Sequence, residues 1–297
     1  SHIVLIGRVG VTTPALLALL REGVGLSLVS RSGQLRGRLV PPTGKNIPLR
    51  HQQYERAQDP AFCLDVSRAV VEGKLRNCRA LARRWARNRP QIPCDPIERL
   101  DAAVDRAATA SDLATLRGIE GEGARNYFAV WRRVLEPGFG FEKRTRRPPK
   151  DPANALLSLG YTFLSNNLMA ACEIVGLDPY DGFFHADKYG RPALALDLME
   201  EFRPLIVDSV VLNIVNRGML TAEDFRPEGT GQKAGVYLKS RALRTFCRQY
   251  SARLNTRVLH ADAGRRLSYQ QWFEVQARTL RQTIEGQKPA YRAMVVR

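Results

Sequence analysis

From Pro48 to its end this chain is written almost wholly in helical periodicity, whereas its first forty residues alternate short apolar runs with turn residues. That change of period constrains the fold most, because side chains repeating every ~3.6 residues cannot line one face of a sheet. His2–Ile6 is a short apolar run. Thr12-Thr13-Pro14 then supplies a cap and a proline near the first helical position, for a helix over Ala15–Leu20 stopped by Gly23. Val24–Val29 reads as the next strand, and Ser30-Arg31-Ser32-Gly33 as a hairpin turn into Gln34–Val40, closed by Pro41-Pro42.

Beyond that unit, helices are expected at Ala61–Asn88, Ser111–Leu135, Pro152–Val175, Pro192–Asn216, Ser240–Leu254 and Ser268–Ile284, the last with Ser268 and Gln271 spaced as a capping box. Arg217–Lys239, around Gly229-Thr230-Gly231, reads as a mobile loop. The expected fold class is α+β: a small β-rich N-terminal domain and a large all-α domain. The join falls between about Pro60 and Lys74, drawn here as residues 1–66 and 67–297.

Charge narrows the partner. Lys and Arg total 46 against 29 Asp and Glu, a formal charge of +17, which suits a phosphate polymer. On Ala61–Asn88, Leu75, Cys78, Ala82 and Trp85 form an apolar stripe, and Arg76, Arg79, Arg83 and Arg87 form a second, basic one. Alone, the basic stripe reads as a solvated face. Lys143, Arg144, Arg146, Arg147 and Lys150 on a Pro-rich loop, with Arg241, Arg244 and Arg248 on another helix, make a nucleic-acid groove the better reading. Five cysteines without CxxC spacing argue against a disulfide framework and against a zinc or iron–sulfur site. With no signal peptide and no apolar run of membrane-spanning length, the chain reads as cytosolic.

Three residues stand in unusual contexts. Glu120 lies among Gly118, Gly121 and Gly123 inside a helical pattern, although each glycine weakens a helix by ~1 kcal/mol relative to alanine. Glycines there serve helix packing or the close approach of a phosphate. His185 ends a turn-rich stretch with two aromatics before it, a setting for a ligand or for a buried histidine bonded to backbone. Asp197, Glu200 and Glu201 share one helix, where the spacing sets like charges on one face. Either a cation or Arg203 would relieve that repulsion. Two carboxylates and an imidazole make a hard-to-borderline metal site, so Mg²⁺ or Mn²⁺ is expected before zinc.

The runs Thr12–Leu16, Leu49–Tyr54, Lys74–Asn77, Gly118–Gly121 with Tyr127-Phe128, Asp151–Ser158 with Gly160-Tyr161, Gly176–Pro179, Gly182–His185 and Arg191–Pro204 occur in order along almost the whole chain. Together they resemble the CRISPR-associated integrase family, Cas-one, of spacer acquisition. The resemblance implies a β-rich dimerisation domain, here starting inside its sheet as if the first strands were missing, and a helical catalytic domain. It carries a catalytic metal set onto Glu120, His185 and Glu200, with Asp197 as supporting acid and fallback ligand, since many relatives have Asp at the Glu200 position. It implies a homodimer, the Cas-two adaptation subunit as partner, and in some relatives a fused Cas-four nuclease.

The expected activity is a metal-dependent DNA integrase that joins the 3′-hydroxyl of a short DNA fragment to a phosphodiester at a CRISPR repeat. Asn154, Tyr161, Arg144, Arg146 and Arg147 are the candidate DNA contacts, with a helix-core role equally open for Tyr161. The alternatives are an endonuclease that cuts branched DNA with water as nucleophile, and a basic scaffold without catalysis.

Overall fold

The computed structural model describes residues 2–30, 35–40, 46–87, 89–146, 148–186, 188–260 and 264–296. Its first strand, β1 (His2–Ile6), pairs in parallel with β2 (Gly25–Val29), and α1 (Thr13–Arg21) makes the crossover between them. The Thr12 hydroxyl caps α1 by accepting the Ala15 N–H at 3.4 Å. β3 (Leu35–Leu39) adds antiparallel to β2, so the sheet order is β1-β2-β3. The tip of the expected hairpin, Arg31–Gly33, and Pro41-Pro42 lie outside the described residues. β2 buries Leu26 and Val29 but leaves Leu28 exposed, and α1 buries no residue.

The remainder is chiefly helical. α2 (Ile47–Ala57) and α3 (Pro60–Arg87) come first, followed by α4 (Asp95–Ala108), α5 (Leu113–Val134) and α6 (Pro152–Val175). The boundary drawn at 66/67 falls inside α3. Side chains start these helices by satisfying orphan donors: Asn46 accepts from Leu49 N–H, Asp112 from Thr115 N–H and Asp151 from Asn154 N–H. α6 is buried on nearly every side, consistent with its unbroken apolar character, and it is the axis of the core. Helices α3 and α5 meet closely at Gly123, where an added Cβ would lie 2.3 Å from Leu75 Cδ2. That glycine serves packing.

The helix expected over Pro192–Asn216 is interrupted. α7 (Ala193–Met199) ends, residues 200–203 form a turn, Pro204–Asp208 make a wider π-type turn, and α8 (Ser209–Asn216) resumes. Pro204 has no N–H and its ring clashes with a continuing α-turn. The chain widens instead, with Asp208 N–H donating to Arg203 O at 3.2 Å.

The expected mobile loop is also different. Within it, β4 (Phe225–Glu228) and β5 (Gly235–Leu238) form an antiparallel hairpin, anchored by Val236 N–H on Pro149 O. After α9 (Ser240–Leu254), a second hairpin of β6 (Arg257–His260) and β7 (Arg265–Ser268) leads into α10 (Tyr269–Ile284). The expected capping box is present, Ser268 Oγ accepting from Gln271 N–H and Gln271 Oε1 from Ser268 N–H. The short strands β4 to β7 carry too few alternating residues to be distinguished by pattern, whereas α4 buries Leu100, Ala103, Val104 and Ala107 at helical spacing, legible from the sequence but not among the expected helices. Among the described residues, no helix is long and apolar enough to cross a membrane.

Candidate functional site

Four elements converge on one buried cluster. α5 brings Glu120, α3 brings Lys74, the turn after α7 brings Glu200, and the loop before α7 brings His185.

The histidine is built from Asp197 outward. That carboxylate is 1% exposed and accepts the backbone N–H groups of Phe183 at 2.7 Å, Phe184 at 3.0 Å and His185 at 2.9 Å. Its Oδ1 also meets His185 Nδ1 at 2.6 Å. A carboxylate only accepts, so Nδ1 carries a proton and Nε2 is the ring nitrogen left to face the site. The loop can cross α7 this closely because residue 182 is glycine: a Cβ there would lie 2.7 Å from the Ala193 carbonyl carbon. Arg117 braces the loop from the α5 side by donating to Phe184 O at 2.7 Å.

Nε2 of His185 points toward Glu200, 3.7 Å from Oε1. Arg203 Nη2 lies 3.1 Å from the same oxygen. The other oxygen, Oε2, is 2.6 Å from the Lys74 ammonium, which also contacts Glu120 Oε1. Burial alone would raise the Glu200 carboxyl, but Arg203, Lys74 and His185 together hold it well below the carboxylate range.

Two of the expected trio, Glu120 and Glu200, therefore share an ammonium, and the third, His185, faces Glu200. Among the described residues no three Asp, Glu, His or Cys side chains form a ready-made ligand set. The donor set nevertheless suits a divalent cation. Two carboxylates flank one position that already holds positive charge, the buried Glu200 Oε2 has no partner there among the described residues besides that ammonium, and an imidazole nitrogen faces the other oxygen of Glu200.

The three acids of the 197–201 run do not share a face. Asp197 serves the histidine loop, with both oxygens spent. Glu201 points the other way and accepts from Tyr291 Oη at 2.9 Å, from Gln276 Nε2 at 3.2 Å and from Met294 N–H. Asn77 completes this contact, donating to Glu201 O at 2.9 Å and Met294 O at 2.8 Å. Glu200 keeps helical dihedrals, and consecutive helical residues point about 100° apart, which turns Glu201 away from the face of Glu200.

The expected DNA contacts divide. Asn154 is wholly buried, accepting from Thr145 N–H and Arg144 and donating to Lys143 O and Asp151. Its amide is spent on holding the 143–151 loop and leaves nothing to offer a phosphate. Arg144 is part of the same anchor, its guanidinium 5.2 Å from the Tyr161 ring centroid. The Tyr161 hydroxyl donates to Asp208 at 2.5 Å, and Arg203 lies 4.8 Å from its ring. Arg146 is exposed, as are Arg244 and Arg248, while Arg147 lies outside the described residues. On α3 the basic stripe is exposed, half-buried at Arg79, but largely paired within the chain: Arg76 with Glu72, and Arg79 and Arg83 with Asp101 of α4.

Lys74 and Asp208 are members of this cluster that sequence reasoning did not assign to it, whereas Arg203 does pair with Glu200 as its spacing allowed. Lys74 had a signal. It sits four residues before Cys78 on the apolar stripe of α3, and a lysine on a buried stripe needs a buried partner.

Comparison with known proteins places the chain as a whole. A relative from Thermus thermophilus, named CRISPR-associated endonuclease Cas1 3, is 40% identical over 298 residues, covering 100% of this chain and 86% of that protein. A Geobacter sulfurreducens protein, named CRISPR-associated exonuclease Cas4/endonuclease Cas1 fusion, is 39% identical over 306 residues. The match covers 100% of this chain and 54% of the fusion, so the chain spans about half that relative's length. Among solved structures, a casposase bound to integration product has the same fold, with a TM-score of 0.87 at 24% identity over 98% of this chain and 80% of that one. The profile of the family described as CRISPR associated protein Cas1 matches residues 1–252, and with a relative matched along the whole chain at 40% identity the chain belongs to the Cas1 family.

Proposed function

We propose that the chain is a metal-dependent DNA integrase of CRISPR adaptation. The observation that carries this reading is that Glu200 sits between the other two, one oxygen sharing the Lys74 ammonium with Glu120 and the other facing His185 Nε2 at 3.7 Å. Those three side chains would hold Mg²⁺ or Mn²⁺. Bound there, the cation supplies positive charge to a non-bridging phosphate oxygen and lowers the pKa of the attacking hydroxyl.

The chain's own residues do the positioning. Asp197 fixes the imidazole so that Nε2 faces the site, and Arg117 keeps the loop against α5. Arg203 holds Glu200 from the side opposite Lys74 and keeps it ionised. Arg146 on the loop before α6, with Arg244 and Arg248 on α9, all exposed, grip backbone phosphates without reading bases. In the joining reaction one phosphodiester bond forms to the incoming 3′-oxygen as another breaks to release a 3′-hydroxyl. The bond count is unchanged and no nucleotide cofactor is required.

A homodimer, a Cas-two partner, a Cas-four domain as in the fusion relative, and a cytosolic setting belong to the same proposal. The endonuclease names of both relatives favour a second reading, hydrolysis of branched DNA by the same site with water as nucleophile.

One assay separates these readings. A branched DNA that mimics a half-integrated fragment is incubated with the protein and Mn²⁺ or Mg²⁺, beside His185→Ala. Release of the branch with resealing of the continuous strand, absent in the variant, is expected. Cutting without resealing would establish the nuclease. Unimpaired resealing by His185→Ala would refute the metal-site assignment.

A further inference from the structure

Lys74 occupies the place in the cluster that the proposed function reserves for a metal ion. Its side chain is only 10% exposed, and its ammonium touches both carboxylates. A lysine in such a position is unusual, because an ammonium loses strong hydration on burial and must be repaid by paired charge. Here the repayment is complete: Glu120 and Glu200 carry two negative charges, and Lys74 and Arg203 two positive ones.

The two cations are held differently. Arg203 is fixed at one end by Glu200 Oε1 and lies along the Tyr161 ring. Lys74 donates a hydrogen bond to Glu120 Oε1 and lies 2.6 Å from Glu200 Oε2, with no ring against its ammonium among the described residues. A compact ammonium on a flexible four-carbon stem can swing away without disturbing a ring contact, whereas moving Arg203 would break its packing on Tyr161. The α5 surface beside Glu120 is also open, since a Cβ at Gly118 or Gly121 would meet nothing within 4 Å. A divalent ion entering with Lys74 in place would leave the pocket strongly positive, so the two cations compete for the same pair of oxygens.

We propose that Lys74 is an exchangeable resident cation: its ammonium neutralises Glu120 and Glu200 in the metal-free protein and leaves that position when a divalent metal binds. The proposal rests on the metal-site reading above and adds that the chain sets its own metal affinity through Lys74. It also implies that metal binding frees an ammonium beside the reacting phosphate.

The test needs no DNA. Mn²⁺ is titrated calorimetrically into the full chain, into Lys74→Met and into Glu120→Gln near neutral pH, and each protein is melted in chelator. The expected result is a Kd for Mn²⁺ about tenfold or more lower in Lys74→Met than in wild type. The same variant should melt lower in chelator and show a larger rise in Tm on adding Mn²⁺. In parallel, acetylation of Lys74 in the wild-type protein, followed by mass spectrometry, should quicken when Mn²⁺ is present. Mn²⁺ binding that depends on Glu120, yet is no tighter in Lys74→Met, overturns the exchange. So does a metal-insensitive rate of Lys74 acetylation, which decides the matter alone if Lys74→Met does not fold. Mn²⁺ binding unaffected by Glu120→Gln would instead overturn the metal-site reading itself, and the exchange with it.

Discussion

Glu200 and Glu201 are neighbours in sequence, and each anchors a buried centre of opposite character. In front, Glu200 is met by Lys74, Arg203 and His185, and this crowd of positive or polarisable nitrogen keeps it ionised. Behind, Glu201 meets only neutral donors, from Tyr291, Gln276 and Met294, and burial pushes its carboxyl up to about 8. A carboxylate among cations can exchange one cation for another, whereas one among neutral donors can only hold chain to chain. The front centre suits chemistry. The rear centre ties the C-terminal segment around Tyr291–Val296 onto α3, where Ala293 packs so close to Gly73 that an added Cβ would sit 2.3 Å away.

That contrast breaks most sharply under alanine. Glu200→Ala should lower strand joining on the order of a thousandfold while DNA binding and its salt dependence persist, as read by gel shift beside the branched-DNA assay. Glu201→Ala should do the reverse. It strands the Tyr291 hydroxyl and the Met294 N–H in the core, and should cost about 2–4 kcal/mol of stability, seen as a drop in Tm that chelator and Mn²⁺ leave unchanged. If Glu201→Ala instead weakened Mn²⁺ binding without loss of stability, the front–rear division would be wrong.

Finer changes sharpen it. Asp197→Asn keeps the loop's shape but weakens the hold on Nδ1, so Mn²⁺ affinity should fall about 10–100-fold by calorimetry with little change in fold. The smallest expected effect lies at Asp208, whose carboxyl burial pushes up to about 6 despite the Tyr161 hydrogen bond. An acid whose folded pKa is raised contributes stability that is full below its unfolded value, about 3.9, and is lost as pH climbs through about 6. Asp208→Asn should therefore flatten the Tm profile between those limits, by up to ~1.4 kcal/mol per pH unit. An unchanged profile would assign the dependence to other groups.

Much of this molecule was legible before folding. Thr12, Asp151 and Ser268 are capping residues whose hydrogen bonds are local, so the helix starts they mark need no tertiary information. β1 to β3 and α6 follow from periodicity and apolar run length alone. The break at 200–208 was not legible, although Pro204 stood in plain view, because a proline does not say whether a helix will kink, stop or widen. Asn154 was misread for a related reason. A conspicuous polar residue in a basic region looks available until its four partners are seen.

The sequence by itself determined the two-part architecture, the basic character, and the membership of Glu120, His185 and Glu200 in one group. These rest on local periodicity, summed charge and ordered motifs. Tertiary structure alone decided which cation stands between the carboxylates and which of two adjacent glutamates faces it. Lys74 and Glu120 are 46 residues apart, and Glu201 and Met294 are 93 apart. The worth of a buried charge depends on what surrounds it in space, and only the packed chain settles that.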